Sequence, residues 1–153
     1  MSAVARTFLD TNVVVYPWDR SEISKAPFAE KLLQDVFRAG RPLLSVQVLS
    51  EFFWTVTHKL AIPLTADEAA AEIRRLRALA YVALLTEELL EQALDAVTAY
   101  GLALWDAQIF AAAKPHYGTT VLSEDFAHRR TIEGVTFLNP FAPDFSISEI
   151  LGV

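Results

Sequence analysis

Short β-prone segments alternate with helix-like segments along most of this chain. Residues 6–9 form a first strand candidate that ends at Asp10-Thr11-Asn12, three residues that cap helices or form turns. From 25 to 39 the apolar residues recur at helical spacing until Gly40. Strands separated by helical crossovers build parallel sheets with helices on both faces. The alternation therefore predicts an α/β fold, a three-layer α/β/α sandwich with a central parallel sheet.

The rest of the chain continues the same alternation. Thr65 and Glu68 form a capping box before one helix, and Thr86 and Gly101 bound the next. The predicted strands are 6–9, 43–44, 81–85, 119–122 and 135–138. The predicted helices are 25–39, 46–60, 65–79, 86–101 and 105–114. We find no internal repeat, no low-complexity tract and no linker except a proline-bearing tail after Leu138.

Length and composition indicate one well-packed domain. The chain has 153 residues, of which 53% are hydrophobic and 21% charged, so a large core is expected and intrinsic disorder is excluded. Without cysteine there is no disulfide framework and no thiolate zinc site. No uncharged stretch approaches the ~18 apolar residues of a membrane span. Because the N-terminus shows no basic leader before an apolar run, we expect a cytoplasmic protein without membrane contact.

The net charge of −6 argues at first against a nucleic-acid partner, because phosphate binding normally calls for a basic surface. That argument fails if several carboxylates hold divalent cations. Two bound Mg²⁺ ions would change the net charge from −6 to −2 and make the local field attractive to phosphate. For a nucleic-acid partner, the positions of the acids therefore matter more than the net charge.

Several familiar site motifs are absent. The five glycines are too scattered for a dinucleotide turn or a phosphate-binding loop. The three histidines form no HExxH motif or other close ligand pair, which disfavours a zinc protease. No Gly-x-Ser-x-Gly occurs either, so a nucleophile elbow is excluded.

Four acids stand at element boundaries or in strongly apolar surroundings. Asp10 and Asp125 follow strand candidates, at the carboxyl ends where open α/β sheets collect ligands. Asp106 is the only charge between 96 and 113, and Glu51 is flanked by apolar residues on both sides. Converging carboxylates repel one another unless cations intervene, and oxygen-only ligation is what Mg²⁺ or Mn²⁺ prefers. Such sites hydrolyse phosphate esters.

Each acid also has a purely structural interpretation. Asp10 can cap a helix, and Asp106 can favour the positive end of a helix dipole. Asp125 can form a turn after its strand, and Glu51 can be a solvated helix residue. What favours a site is the combination of all four acids in one βαβ chain.

Four sequence blocks, in this order and spacing, resemble the motifs of PIN domains. They are Phe8-Leu9-Asp10-Thr11-Asn12, Val48-Leu49-Ser50-Glu51-Phe52, Leu104-Trp105-Asp106-Ala107-Gln108 and Leu122-Ser123-Glu124-Asp125-Phe126. The resemblance extends through Asn139-Pro140-Phe141, which places a PIN-like nuclease domain at 1–141 and leaves 142–153 as a tail of unknown role. Such a tail is a dimer arm, a domain-covering arm or a loosely ordered end.

The most similar type is the VapC-like ribonuclease toxin. The resemblance implies Mg²⁺- or Mn²⁺-dependent cleavage of RNA, a homodimer and a cognate antitoxin partner. It assigns catalytic and metal-binding roles to Asp10, Glu51, Asp106 and Asp125, and supporting roles to Thr11, Asn12 and Ser123. Glu124 competes with Asp125 for the last acidic position, and the family pattern favours Asp125.

Contact with RNA is less specified by the sequence. Arg129 and Arg130 follow the last acidic block and are candidates for holding flanking phosphates. A phosphatase of the haloacid-dehalogenase type is disfavoured, because its second aspartate would stand where this chain has Asn12. A catalytically silent PIN-like module that only binds RNA or a protein partner remains the alternative.

Overall fold

The computed structural model describes residues 6–151, in which six strands form one sheet between helices. The strands are β1 (Arg6–Leu9), β2 (Leu43–Ser45), β3 (Tyr81–Ala83), β4 (Gly118–Leu122), β5 (Thr131–Ile132) and β6 (Val135–Leu138). The helices are α1 (Thr11–Val15), α2 (Lys25–Ala39), α3 (Val46–His58), α4 (Ala66–Leu79), α5 (Glu87–Tyr100), α6 (Leu104–Ala113) and α7 (Ser148–Leu151). Short 3₁₀ turns cover Tyr16–Trp18 and Lys114–His116. Among the described helices, none combines the length and the apolar composition that spanning a bilayer requires.

The strand order explains how the helices are divided between the two faces. The sheet runs β3-β2-β1-β4-β6-β5, so the chain moves outward from β1 through β2 to β3 and then returns across the sheet to β4. With right-handed crossovers, this reversal places α5 and α6 on the face opposite α1 to α4. The predicted three-layer α/β/α fold is confirmed.

β1 and β4 are neighbours in the sheet. After β1 the chain continues toward β2 on one side, and after β4 it continues toward β6 on the other side. Leu9 pairs with Leu122 at the carboxyl ends of these two parallel strands. In open α/β sheets, the crevice at such a reversal of strand order is where ligands bind. The fold thus marks the edge that carries Asp10 and the segment after Leu122 as the place for a site.

One edge of the sheet departs from the predicted all-parallel arrangement. β5 pairs with β6 in antiparallel orientation through a two-residue turn, Glu133-Gly134. Both turn residues have positive φ, 48° and 83°, the backbone that a tight hairpin with a type I′ turn needs and that glycine adopts most easily. The strands predicted from the sequence do not include 131–132, so this hairpin was not predicted.

Residues 142–151 lie against the domain. Phe145, Ile147 and Ile150 pack on the core, and α7 contacts α2. Arg129 forms ion pairs with Asp144 and Glu149 of this segment. Within the described chain the tail therefore covers part of the domain surface. The division at residue 141 stays a prediction from sequence.

Candidate active site

Asp10 is fixed at the junction of β1 and β4. Its backbone N–H donates to the carbonyl oxygen of Leu122 at 3.0 Å, which continues the pairing of the two strands. Its Oδ1 accepts from the backbone N–H of Thr11 at 2.7 Å, so Asp10 also caps α1. Its Oδ2 accepts from the hydroxyl of Ser123 at 2.6 Å. The side chain is therefore held from the start of α1 and from the residue that follows β4.

The surroundings of Asp10 disfavour its negative charge. The residue is only 7% exposed, and burial raises the pKa of its carboxyl from 3.8 to about 6. Hydrogen bonds from Ser123 and Thr11 act against this rise, whereas the charges of Asp125 and Glu51 add to it. A cation next to Asp10 would relieve both the burial and the repulsion.

The segment after β4 is tied to α1 through Asn12. The Asn12 side-chain oxygen accepts from the backbone N–H of Glu124 at 3.3 Å, and its amide donates to Asp125 Oδ2 at 3.1 Å. The hydroxyl of Ser123 accepts from the backbone N–H of Asp125 at 3.2 Å. Asn12 and Ser123 thus set the position of the Asp125 carboxylate. The helix cap that the sequence suggested within Asp10-Thr11-Asn12 is provided by Asp10.

Glu51 lies on α3 and reaches the same edge from the side of α1. The hydroxyl of Thr11 donates to Glu51 Oε2 at 2.7 Å. The amide of Gln47, one helical turn earlier and buried, donates to Oε1 at 3.1 Å. Glu51 itself is exposed. A neutral donor therefore orients each of its oxygens while leaving the side chain open to solvent.

Asp106 occupies the first turn of α6, where a negative charge is favoured by the helix dipole. Nevertheless, burial and the nearby charge of Asp125 raise the pKa of the Asp106 carboxyl. This position is compatible with both interpretations of Asp106, as an acid at a helix end and as a residue of the site.

The four acids form a continuous series of interacting charges. Asp10 interacts with Glu51 and with Asp125, and Asp125 interacts in turn with Asp106. As the side chains stand in residues 6–151, no three Asp, Glu or His side chains are grouped so that they could hold one metal ion. Three of the four carboxylates accept hydrogen bonds from neutral side chains, namely Asp10, Glu51 and Asp125.

The donor chemistry of this edge nevertheless suits Mg²⁺ or Mn²⁺. The available ligands are carboxylate, hydroxyl and amide oxygens, which are the hard donors that these ions prefer. The buried Asp10, whose ionised form is disfavoured by burial and by two neighbouring acids, is the group that gains most from a bound cation. Asp10, Asp106 and Asp125 are the residues that would hold it, with Glu51 at the side of the site.

The two candidate RNA-binding arginines are engaged within the protein. The Arg129 guanidinium pairs with Asp144 at 3.0 Å and with Glu149. Arg130 donates to the backbone carbonyl oxygen of Tyr100 at 2.8 Å. RNA binding by Arg129 and Arg130 stays a prediction, and it would require each guanidinium to serve phosphate with its remaining N–H groups.

Sequence reasoning missed three residues next to the acids. Gln47 stands four positions before Glu51, on the same side of α3, and that helical spacing is a signal that could have identified it. Lys25 and Tyr16 both contact Glu124 from a distance of about a hundred positions along the chain. No local pattern in the sequence indicates those two contacts.

Comparison with known proteins agrees with this architecture. The family model of the PIN domain matches residues 7–133. The Mycobacterium tuberculosis toxin VapC20, which cleaves the sarcin-ricin loop, has a similar fold with a TM-score of 0.62 and 21% identity, over 75% of this chain and 86% of that one. A toxin–antitoxin complex from Klebsiella pneumoniae contains a chain with a TM-score of 0.62 and 17% identity, over 92% of this chain and 98% of that one. No curated protein matches in sequence.

At 21% and 17% identity, these two similar structures show only that the fold is shared. The family match carries more, because it spans most of the chain and includes the sequence blocks of all four acids in full. On that match, this chain belongs to the PIN-domain family.

Proposed function

We propose that this protein is a Mg²⁺- or Mn²⁺-dependent endoribonuclease that hydrolyses RNA phosphodiester bonds and acts as the toxin of a toxin–antitoxin pair. The observation that carries the proposal is the series of four acids around Asp10 at the switch point of a PIN fold. The toxins with a similar fold support the toxin role and a protein antitoxin as partner. A homodimer and a cytoplasmic location, expected from the sequence, belong to the same proposal.

The chain's own residues prepare the site before substrate arrives. Ser123 and the backbone of Thr11 orient Asp10, and Asn12 orients Asp125. A divalent cation held by Asp10, Asp106 and Asp125 would lower the pKa of a bound water and offset the charge that develops on the phosphate. A carboxylate that does not bind the cation would then accept the proton of that water.

Purified protein is expected to cleave single-stranded RNA when Mn²⁺ is present and to leave it intact in chelator. The acids repel phosphate until a cation compensates them, so metal governs both substrate approach and chemistry. The measurement is the appearance of RNA fragments on a denaturing gel over time. RNA that is bound with Mn²⁺ but never cut would instead favour the silent PIN-like module.

Expression of the protein without a partner is expected to slow the growth of the host cells. Asp106→Asn should restore normal growth, because it removes a proposed ligand without a large change in size. Growth curves of the two strains, at protein levels matched by immunoblot, provide the measurement. Equal growth of both strains, with cleavage intact in vitro, would count against the toxin role and leave the ribonuclease standing.

A further inference from the structure

Glu124 stands beside Asp125 in sequence, yet its carboxylate has other partners. It accepts hydrogen bonds from the ammonium of Lys25 and from the hydroxyl of Tyr16, and Lys25 Nζ also lies 3.3 Å from the Tyr16 oxygen. Both members of the ion pair are partly buried, with 25% of the Glu124 side chain and 33% of the Lys25 side chain exposed. Burial raises the pKa of Glu124, but the hydrogen bonds from Lys25 and Tyr16 outweigh it and hold the pKa below its ordinary value.

The three residues come from different parts of the fold. Tyr16 begins the 3₁₀ turn that follows α1, Lys25 begins α2, and Glu124 belongs to the segment after β4. Phe141 packs edge-on against the Tyr16 ring, with the ring centroids 4.9 Å apart, and this contact supports the position of Tyr16. Their contact therefore ties the segment after β4 to the elements that follow α1.

Asn12 adds a second tie, which joins the segment after β4 to α1 itself. It accepts from the backbone N–H of Glu124 and donates to the carboxylate of Asp125. The segment is thus held through the side chain of Glu124, through its backbone and through Asp125. A shift of Glu124 would move the neighbouring Asp125 relative to Asp10.

We propose that Lys25 and Tyr16 hold Glu124 as a clamp that positions Asp125 for divalent-cation binding beside Asp10 and Asp106. We call these three residues the Glu124 clamp. All three are positioning residues, because they act through Asp125. This inference rests on the proposed metal-dependent function. It also explains why two adjacent acids differ in role, since the charge of Glu124 is already compensated by Lys25 and a second cation gains less there.

The chain contains a matched control for the clamp. Lys114 and Tyr100 hold Glu133 in the same way, with Nζ to Oε1 at 2.5 Å and the hydroxyl to Oε2 at 2.8 Å. This trio lies at the β5–β6 turn, and Glu133 does not contact any of the four acids. It has the chemistry of the clamp without its place beside Asp125.

The test measures Mn²⁺ affinity of the RNA-free protein, by electron paramagnetic resonance of unbound Mn²⁺, for the parent, Glu124→Gln and Glu133→Gln. Glu124→Gln is expected to weaken Mn²⁺ binding by about tenfold to a hundredfold, the range seen when groups that orient metal ligands are removed. Glu133→Gln should remain within about twofold of the parent. In cleavage assays at saturating Mn²⁺, Glu124→Gln should lower kcat with little change in KM for RNA.

Rescue by a conservative change separates positioning from a general loss of structure. Lys25→Arg keeps a cation for Glu124 and should stay close to the parent, whereas Lys25→Met should behave like Glu124→Gln. Lys25→Met combined with Glu124→Gln should cost little more than either change alone, because the two residues act through one contact. In metal-free protein, backbone amide exchange at 124 and 125 should be faster in Glu124→Gln than in Glu133→Gln.

Two results would overturn the clamp: parent-like Mn²⁺ affinity and amide exchange in Glu124→Gln, or an equal loss of affinity in Glu133→Gln. A parent that binds Mn²⁺ but cuts no RNA refutes the proposed ribonuclease and leaves the clamp to be decided by these affinities. A parent that binds no Mn²⁺ refutes both.

Discussion

Asp106→Asn is expected to lower the rate of Mn²⁺-dependent RNA cleavage by at least about a hundredfold. Asp106 is partly buried and interacts with Asp125, so its carboxylate belongs to the charge that would hold a cation. The carboxamide is nearly the same size but neutral, and it leaves the electrostatic pull on the cation weaker. Initial rates with an RNA oligonucleotide, at several Mn²⁺ concentrations, provide the measurement.

Asp95→Asn is the matched control for this change. Asp95 is an exposed residue of α5, away from the four acids, and the same chemical substitution there should leave the rate within about twofold. Thermal melts of both variants establish that each is folded. Undiminished cleavage by Asp106→Asn would remove Asp106 from the site and leave its helix-end interpretation as the correct one.

In metal-free protein, Asp10→Asn is expected to increase stability at pH 7 by up to about 3 kcal/mol and to have almost no effect near pH 4. The pKa of Asp10 rises from 3.8 to about 6 on folding, so the folded state keeps a proton that the unfolded chain has lost. The stability that this proton provides is fully present below pH 3.8 and is lost as pH rises through about 6. At ~1.4 kcal/mol per pKa unit, two units correspond to this magnitude.

Asparagine imitates the protonated acid at every pH, so only the parent should lose this contribution. The measurement is the free energy of unfolding in urea with chelator, from pH 4 to pH 7.5, for both proteins. Excess Mn²⁺ at pH 7 should reverse the order, because a thousandfold excess over Kd adds about 4.1 kcal/mol to the parent only. Curves that stay parallel across this pH range would show that Asp10 is not a strained acid.

Periodicity and capping signals predicted most of the fold. The capping box of Thr65 and Glu68 is present, and α2, α5 and β6 lie within a residue or two of their predicted bounds. These elements depend on local spacing, which the sequence displays directly. The third strand is shorter than predicted, because it ends at Ala83 and Thr86 already caps the next helix.

The elements that were missed depend on contacts that local spacing does not show. β5 has only two residues and exists because it pairs back on β6. The tail reads as a proline-bearing end, although its apolar residues Phe145, Ile147 and Ile150 are a signal for packing. Arg129 looked free beside the acids because its partners, Asp144 and Glu149, lie 15 and 20 positions later.

For the candidate site, sequence reasoning identified the acids but not what holds them. Strand ends brought Asp10 and the segment with Asp125 to one edge, as parallel sheets require. The choice between Glu124 and Asp125 rested on resemblance, and the structure adds a physical distinction, since Glu124 is paired with Lys25 whereas Asp125 interacts with Asp10 and Asp106. That distinction depends on α2 and the turn after α1, which no motif describes.

During translation, the contacts between Arg129 and residues 144–149 can form only after the rest of the site has been synthesised. A chain grows from its N-terminus, so all four acids are synthesised before Asp144 and Glu149, the partners of Arg129. The turn that follows Asp125 receives its final contacts only from the last part of the described chain. A nascent polypeptide can therefore contain every acid of the site while still lacking the contacts of Arg129 that hold the turn after Asp125.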